Sequence, residues 1–405
     1  MERSLSFRQI TTWFFIWLAL TIDVMDWQLL SFAAPHIIKE MGFSLPQMGL
    51  LLGAPLLGAG ISAVFAGWLA DRFGRVRTMV ACIIWYSVLT LQFPMCHSFY
   101  AMLVNRVLAG VGLGAQWGVG HTLSAEVLPD KYRMIASATI QTGYAFGPVI
   151  GAFLGKLIIP VYGWRHLFYT GAVAGMVLVL LAVVSVRESL IWLEARNRAL
   201  KDGNFRLGRI KTLFEGELRP RLIATFALVF FTVLAYWSSI SWIPSWLMSE
   251  KGLSVVKSMN YLLVLNAGAV LGFIIIGFMA GRWGRKPPIY GALILSSMAV
   301  LIFVNINDAK TLLEFAFVYG LITSPVYGLY GGYFSELFPT EVRASAVNGV
   351  WGVARIISFF GPYILGWIAA VSSMGMAIGT TALLYLLAAV PVLFLPETLV
   401  RRQGT

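Results

Sequence analysis

Twelve apolar stretches follow one another along this chain, near 11–35, 47–69, 78–96, 100–124, 133–158, 165–187, 221–247, 258–281, 287–305, 311–337, 343–369 and 373–395. An α-helix rises 1.5 Å per residue, so about 20 residues cross a hydrocarbon core of about 30 Å. Each stretch is of that order. The breaks between them hold charges, proline and glycine, and nothing reads as a β-strand. The chain is therefore expected to be an all-α membrane protein with twelve transmembrane helices. The one longer polar stretch divides it into a six-helix bundle over 1–187, a linker over 188–220 and a second six-helix bundle over 221–405. Composition excludes a soluble fold: 59% of the residues are hydrophobic and 12% charged, where soluble domains carry roughly 25% charged residues. The first apolar run is too long for a cleavable signal peptide and counts as the first span.

The net charge of +12 is spread through short loops rather than gathered on one surface. No nucleic-acid partner is expected; the bilayer is the natural one. With the N-terminus in the cytoplasm, the loops on that side collect Arg72, Arg75, Arg77, Arg282, Arg285 and Lys286, with Arg196, Arg198, Lys201, Arg206, Arg209 and Lys211 of the linker. Lys39, Lys156, Arg165, Lys251, Lys257 and Lys310 fall on the other side. That bias places both termini in the cytoplasm. The basic linker can lie on the membrane as an amphipathic helix or stay solvated. The lack of an Asn-x-Ser/Thr sequon and the short first outer loop suit a bacterial inner membrane. Cys82 and Cys96 share one expected helix, about 21 Å apart, too far for a disulfide. No metal-ligand cluster and no nucleophile–base pair appear, so neither a cofactor nor an enzyme is expected. The expected form is a monomer.

The chain repeats itself. Gly67-Trp-Leu-Ala-Asp71-Arg72-Phe-Gly74-Arg75 returns 210 residues later as Gly277-Phe-Met-Ala-Gly281-Arg282-Trp-Gly284-Arg285. At the same offset Glu126, Pro129 and Arg133 return as Glu336, Pro339 and Arg343. Two motifs sharing one offset imply parallel structural repeats, as in many transporters.

The first of these segments resembles the G-x-x-x-D-R-x-G-R-[RK] signature between the second and third helices of the major facilitator superfamily. The resemblance covers essentially the whole chain. It implies a secondary active transporter with alternating access, and a gate built from Asp71, Arg75, Glu126, Arg133, Arg285, Glu336 and Arg343. Among these, Glu126, Arg133, Glu336 and Arg343 are expected to form ion pairs across the cytoplasmic ends of the two halves.

Ionisable residues inside spans are costly and point to function. Asp23 and Asp26 lie on neighbouring parts of one face of the first helix. Arg106 sits about 9 Å from the outer end of the fourth, and Arg355 about 18 Å from the inner end of the eleventh. An unpaired buried charge is expensive, so Asp26 is expected to pair with Arg106, which it matches in depth. Asp23, Asp26 and Arg106 are the candidate proton-coupling residues. Asp23-Val-Met-Asp26 resembles the D-G-[FY]-D of the sialate/lactate-type and aromatic acid:proton symporters. Gly114-Ala-Gln116-Trp117-Gly118-Val119-Gly120 resembles the G-G-E-W-G-x-G of the former, and Arg355 the helix-11 arginine of organic anion transporters. The resemblance implies proton-coupled symport of a small organic acid, a monocarboxylate or aromatic acid, with a proton and a small molecule as partners. Arg355 would hold the carboxylate. Trp27, Trp117, Gln141, Tyr144, Tyr236, Trp237, Tyr327 and Tyr330 lie at depths suited to wall the substrate in, and Asn266 can add a hydrogen bond. A drug or metabolite:proton antiporter is the alternative, since Gly143-x-x-x-Gly147-Pro148-x-x-Gly151 resembles the antiporter motif. Behind it come a sugar porter, suggested by Arg187-Glu188-Ser189 and Pro396-Glu397-Thr398, and a non-transporting sensor.

Overall fold

The computed structural model describes residues 5–129, 132, 136, 139–194, 197 and 213–398. The basic run Arg196 to Lys211 of the linker and Arg133 lie outside the described residues, as do the side chains of Asp71 and Arg343. The first half holds α1 (Phe7–Met41), α2 (Leu45–Phe73), α3 (Arg75–Gln92), α4 (Phe99–Val127), α5 (Gly143–Tyr162) and α6 (Trp164–Ser185). The second holds α7 (Leu218–Ser249), α8 (Val255–Trp283), α9 (Lys286–Asn305), α10 (Ala309–Thr323), α11 (Val326–Leu337), α12 (Thr340–Ser358), α13 (Phe360–Val371) and α14 (Met374–Phe394). The expected tenth and eleventh spans are each broken in two. Pro325 has no amide to donate and ends α10. Pro362 likewise removes the bond that would carry α12 through Phe359 into α13. Cys96 falls beyond α3, after a 3-10 turn over Phe93–Met95, and both cysteines are free.

Among the described residues, eleven helical stretches are long and apolar enough to cross a membrane. The twelfth span is α4, with 29 residues. Its length suffices, but Asn105, Arg106, Gln116 and His121 lower its hydropathy. Lipid does not touch these groups: Asn105, Arg106 and Gln116 are buried. The chain is thus an all-α membrane protein of twelve spans in two bundles. In the first, α2 packs on α4, α3 on α4 and α6, and α1 on α5 and α6. In the second, α8 packs on α10, and α14 on α7 and α9. The bundles meet where α2 lies on α12 and α13, where α5 lies on α8, and where α1 crosses α7.

The 210-residue repeat is visible in the contacts. A Cβ on Gly58 would sit 2.0 Å from the Val107 carbonyl oxygen, and one on Gly268 would sit 2.0 Å from that of Phe317. These glycines let α2 approach α4, and α8 approach α10, backbone to backbone. At one end of the bundle Glu40 accepts from Trp164 Nε1 at 2.8 Å and pairs with Arg165 at 2.6 Å. Its equivalent, Glu250, accepts from the amides of Met374 and Gly375. At the other end, which also carries Ser6 and is called here the terminal face, Arg75 pairs with Glu126 at 3.0 Å and Arg285 with Glu336 at 3.0 Å. Each arginine also donates to a helix-end carbonyl, Ala70 at 2.9 Å and Ala280 at 3.0 Å.

The ion pairs described for Glu126 and Glu336 lie within their own halves, with Arg75 and Arg285. The pairing expected across the halves involves Arg133 and Arg343, whose side chains lie outside the described residues. Each described pair clamps the loop after the second span to the end of the fourth span of the same half. The Glu188 and Glu397 segments that resemble sugar-porter endings serve as caps. Glu188 accepts from the amides of Arg75 and Val76, and Glu397 from those of Arg285 and Lys286. A carboxylate there meets the free amides and positive dipole end of α3 and of α9. The antiporter-like glycines are packing residues too. A Cβ on Gly147 would lie 2.5 Å from the Thr21 carbonyl oxygen, so the motif seats α5 against α1.

Candidate functional site

Between the bundles lies a narrow cavity lined from both halves. From the first half come Trp117, Gln141 and Tyr144; from the second, Tyr236, Trp237, Asn266, Tyr327, Trp351 and Arg355 among others. Six of the eight residues expected to wall in a substrate therefore share this lining, together with Arg355 and Asn266. Trp27 and Tyr330 do not line it. Trp27 stacks on Trp237 with ring centroids 4.6 Å apart. The two are related by the 210-residue offset, so the halves meet through equivalent tryptophans. Tyr330 is fully buried behind Tyr327, with its hydroxyl 2.9 Å from Thr232 Oγ1. Trp351 was not singled out from the sequence. It lies four residues before Arg355, hence on the same helix face, which was the available signal.

Arg355 is 7% exposed and its guanidinium lies 5.5 Å from the Trp351 ring centroid. Among the described residues it makes no ion pair within 4.0 Å. Tyr144 and Asp23 are its polar neighbours. A buried guanidinium beside a cavity, with no carboxylate within ion-pair distance among the described residues, is suited to an anion.

The other buried charges lie off this cavity, inside the first bundle. Arg106 and Asp26 are each 1% exposed, and Nη1 of Arg106 lies 3.9 Å from Oδ2 of Asp26. Arg106 donates to Asn105 Oδ1 from Nε at 3.3 Å and from Nη2 at 3.2 Å. Its guanidinium also lies 4.4 Å from the Phe93 ring centroid. Neither Asp26 oxygen has a hydrogen bond among the described residues, nor has Oδ1 of Asp23. The carboxylate of Asp23 stands between the two sets, within electrostatic reach of Asp26 and of Arg355. Gln116 turns away from both and donates to the Met79 carbonyl at 3.0 Å, fixing α4 to α3.

A second cavity shares Trp117, Trp351 and Arg355 with the first and continues past Ala66, Gly67 and Ala70 to Arg75. The site thus communicates with the terminal face along α2, α4 and α12. Trp117 and Trp351, from opposite halves, face each other where the two cavities meet, with centroids 6.0 Å apart.

Two homologous bundles around a chamber at mid-membrane are the build of a secondary transporter. The sequence matches the Major Facilitator Superfamily over residues 16–358, and the chain belongs to that superfamily. It is a transporter and not an enzyme. It is 31% identical over 386 residues to a cis,cis-muconate transport protein of Acinetobacter baylyi, covering 95% of this chain and 93% of that one. A gallate transporter of Pseudomonas putida is 26% identical, over 89% of this chain and 85% of its own length. The fold is similar to the crystal structure of a bacterial homolog of the human lysosomal transporter Spinster. The TM-score is 0.80 at 16% identity, over 96% of this chain and 97% of that one.

Proposed function

We propose that this transporter carries a small unsaturated or aromatic carboxylate across a bacterial inner membrane together with a proton. The observation that carries the reading is Arg355: a buried guanidinium, free of carboxylates within ion-pair distance among the described residues, on the wall of the cavity between the halves. The relatives support it, since muconate and gallate are both carboxylates of this kind. In this reading the termini are cytoplasmic and the terminal face is the inner side. The two bundles, 1–187 and 221–405, rock about the site, and a monomer suffices. Substrate carboxylate binds Arg355, while Trp117, Tyr144, Tyr236, Trp237 and Tyr327 enclose its apolar body. The proton is carried by Asp26 and Asp23. Arg106, 3.9 Å from Asp26, sets how readily the carboxylate accepts it. Asp23 links the two functions: when protonated it no longer competes for Arg355, so proton and anion favour one another.

The test is binding and uptake in proteoliposomes. Arg355→Ala should weaken acid binding tens-fold or more, in line with about 2–5 kcal/mol for losing one partner of a buried charge pair. Arg355→Lys should restore part of it, because the planar fork is lost. Asp26→Asn should abolish uptake driven by a pH gradient but keep counterflow exchange. Unchanged acid affinity in Arg355→Ala would remove the organic-acid reading. Undiminished pH-driven uptake in both Asp26→Asn and Asp23→Asn would remove the coupling.

A further inference from the structure

The start of α3 departs from the signature that it otherwise resembles. After Gly74-Arg75 the signature has a second basic residue, but this chain has Val76 there and places the arginine one residue later. One residue turns a helix by about 100°. Val76 is accordingly buried, while Arg77 is exposed on the outer surface of the first bundle. Arg77 stands at the head of two grooves in that surface, one on each side of α3. The first lies between α2, α3 and α4, and Phe65, Phe73, Trp85 and Val111 are among its walls. The second lies between α3 and α6, against Val80, Ile84, Ala182 and Val183. Arg77 and Ala81, one turn apart, line both. From Arg77 to Ile84 and Trp85 each groove follows α3 for about 10–12 Å. Thr78 opens on the first groove. It is 6% exposed, and its hydroxyl has no hydrogen-bond partner among the described residues. A buried hydroxyl in that state calls for a partner from outside the chain. Arg77 likewise makes no hydrogen bond or ion pair among the described residues. Glu188, at the same helix start, is committed to the amides of Arg75 and Val76. The equivalent positions of the second half hold Pro287 and Pro288, so the repeated fold requires neither group.

We propose that these paired grooves hold one anionic diacyl phospholipid, drawn from the leaflet on the terminal face. The phosphate takes the guanidinium of Arg77, which offers it a planar fork of donors. One acyl chain lies in each groove, and the small side chain of Ala81 forms the saddle where the two chains part. Thr78 donates its hydroxyl to a phosphate or ester oxygen. Two features set this site apart from apolar surface that any lipid covers. Arg72 lies with its guanidinium 5.7 Å from the ring centroid of Phe73, a wall of the first groove, and adds a second positive charge. The headgroup position therefore favours a net negative lipid over a zwitterionic one. Two grooves meeting at a single arginine favour two chains over one. The site lies on the outer surface of the first bundle, away from the central cavity, and does not depend on what the chain transports.

The experiment uses the full chain purified in detergent, with bound lipid counted and titrated by native mass spectrometry. The probes are dioleoyl phosphatidylglycerol, dioleoyl phosphatidylcholine and the single-chain oleoyl lysophosphatidylglycerol. The unmodified chain should take up one tightly held dioleoyl phosphatidylglycerol, and the other two lipids should bind about tenfold or more weakly. Arg77→Gln should lose about tenfold in affinity for dioleoyl phosphatidylglycerol, the worth of a hydrogen bond to a charged group. Arg219→Gln removes the same charge from the start of α7 and should leave that affinity unchanged. Ala81→Trp, shown by thermal unfolding to be folded, should bring the affinity of the two-chain lipid down toward that of the single-chain one. If the phosphatidylcholine binds as tightly as the phosphatidylglycerol, or if Arg77→Gln changes affinity no more than Arg219→Gln does, the headgroup is not held by Arg77 and the proposal is overturned. It is overturned equally if the single-chain lipid matches the two-chain one, or if the folded Ala81→Trp protein keeps full affinity.

Discussion

Replacing Arg106 by glutamine removes the one cation within ion-pair distance of Asp26 among the described residues. Both groups are 1% exposed, so water cannot take over. At the observed 3.9 Å, the attraction at an effective dielectric constant of about 20 is about 4 kcal/mol. Breaking one side of such a pair typically costs about 3–5 kcal/mol. The loss of the Asn105 hydrogen bonds and of the Phe93 ring contact acts in the same direction. For a six-helix bundle we expect a fall in unfolding temperature on the order of 10 °C, using about 2–4 °C per kcal/mol for domains of this size. The partner substitution separates charge from packing. Asp26→Asn/Arg106→Gln leaves no buried charge, so it should unfold at a higher temperature than Arg106→Gln alone. Lowering the pH should help Arg106→Gln more than the unmodified chain, because protonation neutralises the stranded carboxylate. The assay is thermal unfolding in detergent for the four proteins of the cycle, at two pH values. If Arg106→Gln unfolds with the unmodified chain, or the double variant is as unstable as the sum of the singles, the two groups are uncoupled and the pairing carries no energy.

Three further outcomes follow from other parts of the structure. Gly74 and Gly284 have φ of 108° and 105°, and a Cβ would lie 2.3 Å from Glu188 Oε2 and 2.6 Å from Glu397 Oε2. Alanine at either should lower the unfolding temperature by the equivalent of about 1–3 kcal/mol, whereas Gly67→Ala, where a Cβ meets nothing within 4 Å, should leave it unchanged. Trp27→Ala or Trp237→Ala should open the contact between the halves. A cysteine at Asn266, in a Cys82→Ser/Cys96→Ser background, should then react faster with an impermeant thiol reagent added from the face opposite the termini. Burial pushes the Glu336 carboxyl up, but hydrogen bonds from Arg285 and Thr398 outweigh it and hold the group below the usual carboxylate range. A carboxyl depressed on folding stabilises the folded state above its unfolded value near 4.3, and that stability is lost as the pH falls through the folded value. The unmodified chain should therefore exceed Glu336→Gln in stability at neutral pH by a modest amount, given the partial exposure, and the gap should close in acid.

Much of the fold was legible because the bilayer sets the length of a span and because the halves repeat at a fixed offset. The breaks at Pro325 and Pro362 were not, since proline inside a span is tolerated elsewhere in this chain, as at Pro35 and Pro55. The buried charges were legible as charges. Which of them face the substrate cavity was not. In a soluble helix the apolar stripe names the inward side, but in α1 the residues are apolar nearly all round and the pattern carries no direction. Asp26 and Trp27 therefore looked as suited to the central cavity as Tyr236, yet one turns into the first bundle and the other stacks across the interface. The repeat likewise showed that Glu126 and Glu336 are equivalent without showing whether each serves its own half or the other. Arg355 and Gln141 were found because a charge or amide at mid-membrane is conspicuous. Trp351 was passed over because tryptophan in a membrane protein has many other uses.

The polarity of α4 bears on how the chain is made. An arginine inside a span is disfavoured in lipid, by up to about 2.5–3.5 kcal/mol at the helix centre. Asn105, Gln116 and His121 add to this, and glycines replace much of the apolar surface that would offset it. All its principal neighbours on the first-half side, α1, α2 and α3, precede it in the sequence and leave the ribosome before it. They bring Asp26 for the guanidinium, the Leu89 carbonyl for Asn105 and the Met79 carbonyl for Gln116. The fourth span thus enters the membrane against a partly assembled bundle rather than into bare lipid. The order of the helices along the chain makes the first half a template for its own least insertable segment.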